Sequence, residues 1–143
     1  MSAGAALSAA VESRLEQIVP ANSYETDVRG VYGFGQSKPD KAPTPFLLVR
    51  IGEDQSIERV GSRVRRQVRY DVQGVFSRTA SLQDLQRCHH DILRSLGYGE
   101  LPPGRKLLSG EIVEESAEYD PDTDGSLMRS VLASITIQYF EQY

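Results

Sequence analysis

Between residues 64 and 76 apolar and polar positions alternate along the chain. Val64, Val68, Tyr70, Val72 and Phe76 share one parity, while Arg65, Gln67, Arg69, Asp71 and Gln73 share the other. Successive side chains of a strand point to opposite faces, so this segment predicts a strand with one face on a core and one free for solvent or a partner. Arg66 sits on the apolar parity, at the strand's start, where a rim position accommodates it. A different period opens the chain. Leu7, Val11, Leu15, Ile18 and Val19 recur at three- and four-residue steps, predicting an amphipathic helix over 5–19 that Pro20 closes.

The same reading carries through the rest. Residues 23–36 predict a strand interrupted by glycines, "SKPDKAPTP" an extended loop, and "FLLVRI" (46–51) a short strand ended by the turn-like "GEDQS". A helix follows in "SLQDLQRCHHDILRSLG". Ser81 is the N-cap, with Asp84 three residues on. Leu82, Leu85, His89, Ile92, Leu93 and Leu96 form its stripe, and Gly97 suits a left-handed C-terminal position. Two last strands are predicted at 111–119 and 128–140, joined through the hairpin connection "DPDTDG". This order, with short connections, predicts an α+β fold: a mostly antiparallel sheet with two helices packed on one face, in one domain spanning 1–143. Strands of a dozen residues reach about 40 Å, against 5–6 residues for a typical strand. Overhanging ends of that length call for a bend or a neighbouring subunit.

Composition narrows the function classes. The 143 residues carry a net charge of −4, which argues against a general nucleic-acid binder. Cys88 is the only cysteine, so no internal disulfide forms. The N-terminus lacks the basic start and apolar core of a signal peptide, and the longest strongly apolar run, 46–49, is far short of the roughly 20 residues that span a bilayer. A cytosolic site of synthesis, with no membrane partner, is the expectation.

Candidate chemistry thins out under the same scrutiny. Asp120, Asp122, Asp124 and Gly125 copy the start of a calcium loop, yet its twelfth position is Val131, which offers no carboxylate. Cys88, His89 and His90 are consecutive on a helix, where side chains diverge by about 100°, so they do not converge on a metal or form a catalytic pair. His89 and Cys88 read instead as core residues. "GVYGFGQ" is followed by prolines rather than the helix a phosphate loop opens, and "GSR" at 61–63 is no nucleophile elbow. Neither an enzyme nor a cofactor is expected.

What stands out is the segregation of charge. Arg59, Arg63, Arg65, Arg66 and Arg69 fall within eleven residues without a carboxylate among them. Residues 111–124 hold Glu111, Glu114, Glu115, Glu118, Asp120, Asp122 and Asp124 without a base. Neighbouring strands of one sheet could pair these blocks internally, each pair contributing about 0–1 kcal/mol. Alternatively, a basic flank and an acidic flank meet between copies, head to tail, and close into a ring. Arg63, Arg65 and Arg69 are the candidate interface residues on one side, with Glu114 and Glu118 as their partners.

In its series of local patterns the chain resembles the tail terminator proteins of long-tailed bacteriophages. The patterns are "AALSAAVESRLEQI", a proline-rich loop into "PFLLVRIGE", "VRYDVQGVF", "SLQDLQRCHHDILRSL" and a final "SVLASITIQYFEQY". The resemblance implies a non-enzymatic virion protein of the tail, assembled in the host bacterial cytoplasm as a hexameric ring. Such a ring sits on the last ring of tail tube protein, stops polymerisation and offers its other face to a head completion or neck protein. DNA passes through its channel without specific binding. Three other readings stand beside it: another head–tail connector or tail completion protein, a monomeric α+β module holding an anionic ligand through its arginines, and an RNA-binding module.

Overall fold

The computed structural model describes residues 2–34, 38–98, 110–120 and 128–143. Its elements are helix α1 (Ala3–Leu15), strands β1 (Val31–Gly33), β2 (Phe46–Val60) and β3 (Arg63–Ser77), helix α2 (Leu82–Ser95), and strands β4 (Gly110–Tyr119) and β5 (Met128–Gln142). The strands form one sheet in the order β1-β2-β3-β5-β4. Only β1–β2 is parallel; the other pairs are antiparallel. The fold is α+β, as the periodicities predict.

Helix α1 starts where Ser2 Oγ accepts the Ala5 N–H at 3.1 Å, and it buries Leu7, Val11 and Leu15 completely. It stops at Leu15 rather than 19. Val19 is extended, with φ −140° and ψ 154°, because the ring of Pro20 bars the residue before it from helical geometry. Ile18 is still fully buried, and its carbonyl accepts the Val28 N–H. Helix α2 carries a complete capping box, with Ser81 and Asp84 each accepting the other's backbone N–H. Hydrogen bonds from Ser81, its backbone N–H first, hold the Asp84 carboxyl below its ordinary range. Gly97 takes the left-handed conformation that closes the helix, φ 86°.

Two strand expectations are corrected. Among the described residues of 23–36, only 31–33 join the sheet; 35 and 36 lie outside the described residues. The backbone N–H groups of Glu25 and Thr26 go to the carboxylate of Asp91, those of Val28 and Arg29 to the carbonyls of Ile18 and Pro45. With those donors satisfied elsewhere, no ladder forms. Asp91 is fully buried on α2, so this carboxylate fastens the segment to the helix. In the opposite direction, "GEDQS" is no turn. Strand β2 runs through it for 15 residues, paired with β3, and bulges between Ile51 and Asp54 and between Ser56 and Glu58 absorb the irregularity. The reversal comes at Gly61–Ser62, where Gly61 supplies φ 61° for a two-residue hairpin loop.

The core lies between the helices and one face of the sheet. Leu7, Leu15, Leu85, Ile92 and Leu96 meet Leu47, Val68, Tyr70, Val72, Ile135 and Ile137. Each such side chain contributes about 1.5–3 kcal/mol by leaving water. Beyond Ile51 the helix cover thins, although Val64, Tyr139 and Glu141 stay buried, Glu141 against the first turn of α1. From Glu53 to Val60 β2 is exposed, and with 63–67 of β3 and 138–142 of β5 it forms a three-stranded arm overhanging the core.

Candidate functional site

The alternation of β3 places Arg63, Arg65 and Arg69 on the sheet face away from the helices, with Gln67 and Asp71. Cross-strand register puts Gln138, Thr136 and Ser134 of β5 on that face, and beyond them Glu111, Glu114, Ser116 and Glu118 of β4. Arg69, Thr136 and Glu114 stand in one row across three strands. All five residues singled out from sequence therefore share one surface. Strand β5 lies between the basic and the acidic strand, however, so the two charge blocks are two interstrand spacings apart, about 10 Å. Neighbour-strand pairing of these blocks, the simpler of the two expectations, is not what the sheet does.

Several arginines instead find partners close by. Arg65 reaches Glu58 at 3.2 Å, Arg66 reaches Asp54 at 2.8 Å and Arg69 reaches Asp71 at 3.4 Å. Arg63 lies over the Phe140 ring, 4.1 Å from its centroid. The Arg65 Nε is buried and has no hydrogen-bond partner among the described residues. Nor is β3 a flank, since it is the middle strand of five. Its positive charge still reaches the sheet edge, through Gly52. A Cβ at that position would stand 2.9 Å from an Arg69 terminal nitrogen, so the guanidinium lies across β2 where β2 has no side chain.

Both ends of the sheet are open among the described residues. Strand β1 covers β2 only at Leu47–Val49, leaving the rest of β2 without a neighbour on that side among the described residues. Among the described residues, strand β4 pairs with β5 alone. Exposed apolar side chains stud these margins and the arm: Ile51, Val60, Val113 and Phe140 are all at least 40% accessible. A cleft of about 550 Å³ runs beside β4, lined by Arg69, Tyr98, Val113, Glu114, Glu115 and Thr136 among others.

On the helix side, the root of the arm is held by a polar cluster that sequence reasoning missed. Tyr139 donates its hydroxyl proton to Asp54 Oδ2 at 2.6 Å, Arg66 Nε donates to Asp54 Oδ1, and Tyr70 shares a 2.8 Å hydrogen bond with Ser8. Glu141 accepts the Ala3 and Gly4 N–H groups, both at 3.1 Å, capping α1 from the last strand. Burial first, and then Asp54, push the Tyr139 hydroxyl well above its ordinary pKa. The signal available in sequence was Arg66 alone, a charge on an apolar parity; its partner Asp54 lay in a segment that reads as a turn.

The reactive-looking residues have structural roles. Cys88 is buried, and burial followed by Asp91 pushes its thiol up to about 12, so it carries no thiolate near neutral pH. His89 makes a 3.0 Å contact with Glu115 that ties α2 to β4, while His90 is exposed. Asp120 binds Arg129 at 2.6 Å, and this bond holds its carboxyl below the usual range. Asp122, Asp124 and Gly125 of the calcium-like stretch lie outside the described residues. Among the described residues no group of three His, Cys, Asp or Glu is arranged to hold a metal ion, and no helix is long and apolar enough to cross a membrane. The chain matches no protein-family model, and no curated protein is significantly similar to it.

Proposed function

We propose that this chain is a structural protein whose copies join into a closed ring, and that the ring terminates a bacteriophage tail tube and presents the surface for head joining. The observation that carries the reading is the outer sheet face: basic on one side, acidic on the other, and continued into an arm whose β2 strand is exposed from Glu53 to Val60. Opposite charges separated across one surface match between copies rather than within one. The succession of helix, proline-rich loop, long hairpin, helix and long final strand also follows the resemblance to tail terminators.

Function would then follow from occupancy. The ring docks on the last tube ring, blocks further addition and exposes a different upper face. Excess negative charge, −4 per copy, keeps passing DNA from adhering. The anion-binding monomer is the weaker reading, because Glu114 and Glu115 line the same cleft as Arg69, and Arg69 is already beside Asp71. Light scattering during size-exclusion chromatography tests assembly: a multimer is expected, shifting toward monomer when Arg65 and Arg69 are both changed to Glu. A monomer at every concentration overturns it. Electron microscopy of tails made without the protein tests the role. Tubes of uncontrolled length are expected; tails of normal length lacking heads would assign the protein to the neck instead.

A further inference from the structure

Building on the assembly reading above, we propose how the copies join: strand β4 of one copy lies antiparallel along the open stretch of β2 in the next, continuing the sheet across the boundary. The two open margins are at opposite ends of one sheet, so a head-to-tail repeat brings them together without either being used twice. Lengths agree, since the open stretch 50–60 of β2 takes the 10 residues of β4 with Glu118 opposite Arg50 and Glu114 on the other side of Gly52. Direction agrees too. Strands β2, β3, β5 and β4 alternate in sense, so a copy added in the same orientation brings β4 antiparallel to β2 and keeps the polar face on the same side. Strand β1 ends at Gly33, opposite Val49, and limits how far the incoming strand can slide.

Charge selects this pairing over the alternatives. Two copies of β4 side by side would set Glu111, Glu114 and Glu118 against their own kind. Two copies of β2 would oppose bulged segments, a device that blunts self-pairing of edges. Strand β4 against β2 instead brings Glu114 and Glu118 to Arg50 and to the Arg69 guanidinium lying over Gly52. Of the three carboxylates on β2, Glu53, Asp54 and Glu58, the last two are already held by Arg66 and Arg65 and offer little resistance. The Asp71 contact to Arg69 is a half-exposed pair that a second carboxylate can displace.

Hydrogen exchange on the assembled full chain reads the ladder directly. Amides of 52–60 and 110–119 should slow together by at least about tenfold as concentration carries the protein from monomer to assembly. Gly52→Ala adds a methyl group that displaces only the flexible end of Arg69, so the fold should persist while the midpoint concentration for assembly rises severalfold. Arg69→Glu and Glu114→Arg should each raise that midpoint by roughly tenfold or more. Mixing the two variants should restore assembly, because each boundary then meets an opposite charge. Assembly with both margins still exchanging freely, or a mixture no better than its components, overturns strand addition while leaving the ring reading intact. A monomer with fast-exchanging margins at all concentrations overturns both.

Discussion

One pair of strands lives in two environments. The half of β2–β3 nearest the helices, with Leu47, Val49, Tyr70 and Val72, is buried. The other half, from Glu53 through the turn to Gln67, keeps the same ladder but has thinner helix cover. Backbone pairing is common to both, so the difference isolates what side-chain burial adds. The first half holds the fold; the second is maintained by its neighbours and has surface left over for a partner.

Substitutions should separate the halves sharply. Ile137→Ala, in the buried sheet centre, should lower unfolding free energy by about 2–5 kcal/mol in denaturant melts. Asp91→Ala should cost about 2–4 kcal/mol, since it strands the part-buried N–H of Glu25 and the buried N–H of Thr26. Ser81→Ala removes the α2 cap and should cost about 1 kcal/mol. Acidification sharpens the contrast further. Asp84 and Asp120 have carboxyls depressed below 3.8 in the fold, so the stability they contribute is complete above that value and is lost as pH falls through their lowered values. Asp120→Asn should therefore melt lower than wild type at pH 7 and converge on it near pH 2. Val60→Ser, at the arm's tip, should change stability by no more than about 0.5 kcal/mol; a loss above 1 kcal/mol would mean the arm is part of the core.

Legibility in sequence followed the same divide. The β3 alternation, the Ser81–Asp84 cap, the α2 stripe from Leu85 onward and the β5 alternation were readable, because burial on one face imposes a period; Leu82, expected in that stripe, is exposed instead. Where structure rests on distant partners, no local pattern announced it. "GEDQS" carries turn-forming residues, yet β3 extends it into a strand. Glycines and apolar residues at 23–36 look strand-like, yet a carboxylate on α2 takes their amides. Parity put Arg63, Arg65 and Arg69 on one face of β3, but that Glu114 and Glu118 share this face, with β5 between the two charge blocks, is a matter of topology. So was the contribution of Gly52, whose absent side chain gives Arg69 its route.

The clasp of Glu141 on the first turn of α1 has a mechanical consequence. The segment it belongs to lies in the arm, beside Tyr139, whose hydroxyl grips Asp54 on the hairpin. Whatever bends the overhang therefore tugs on the opening helix, and a reporter attached to that helix would register docking events taking place at the far margin of the sheet.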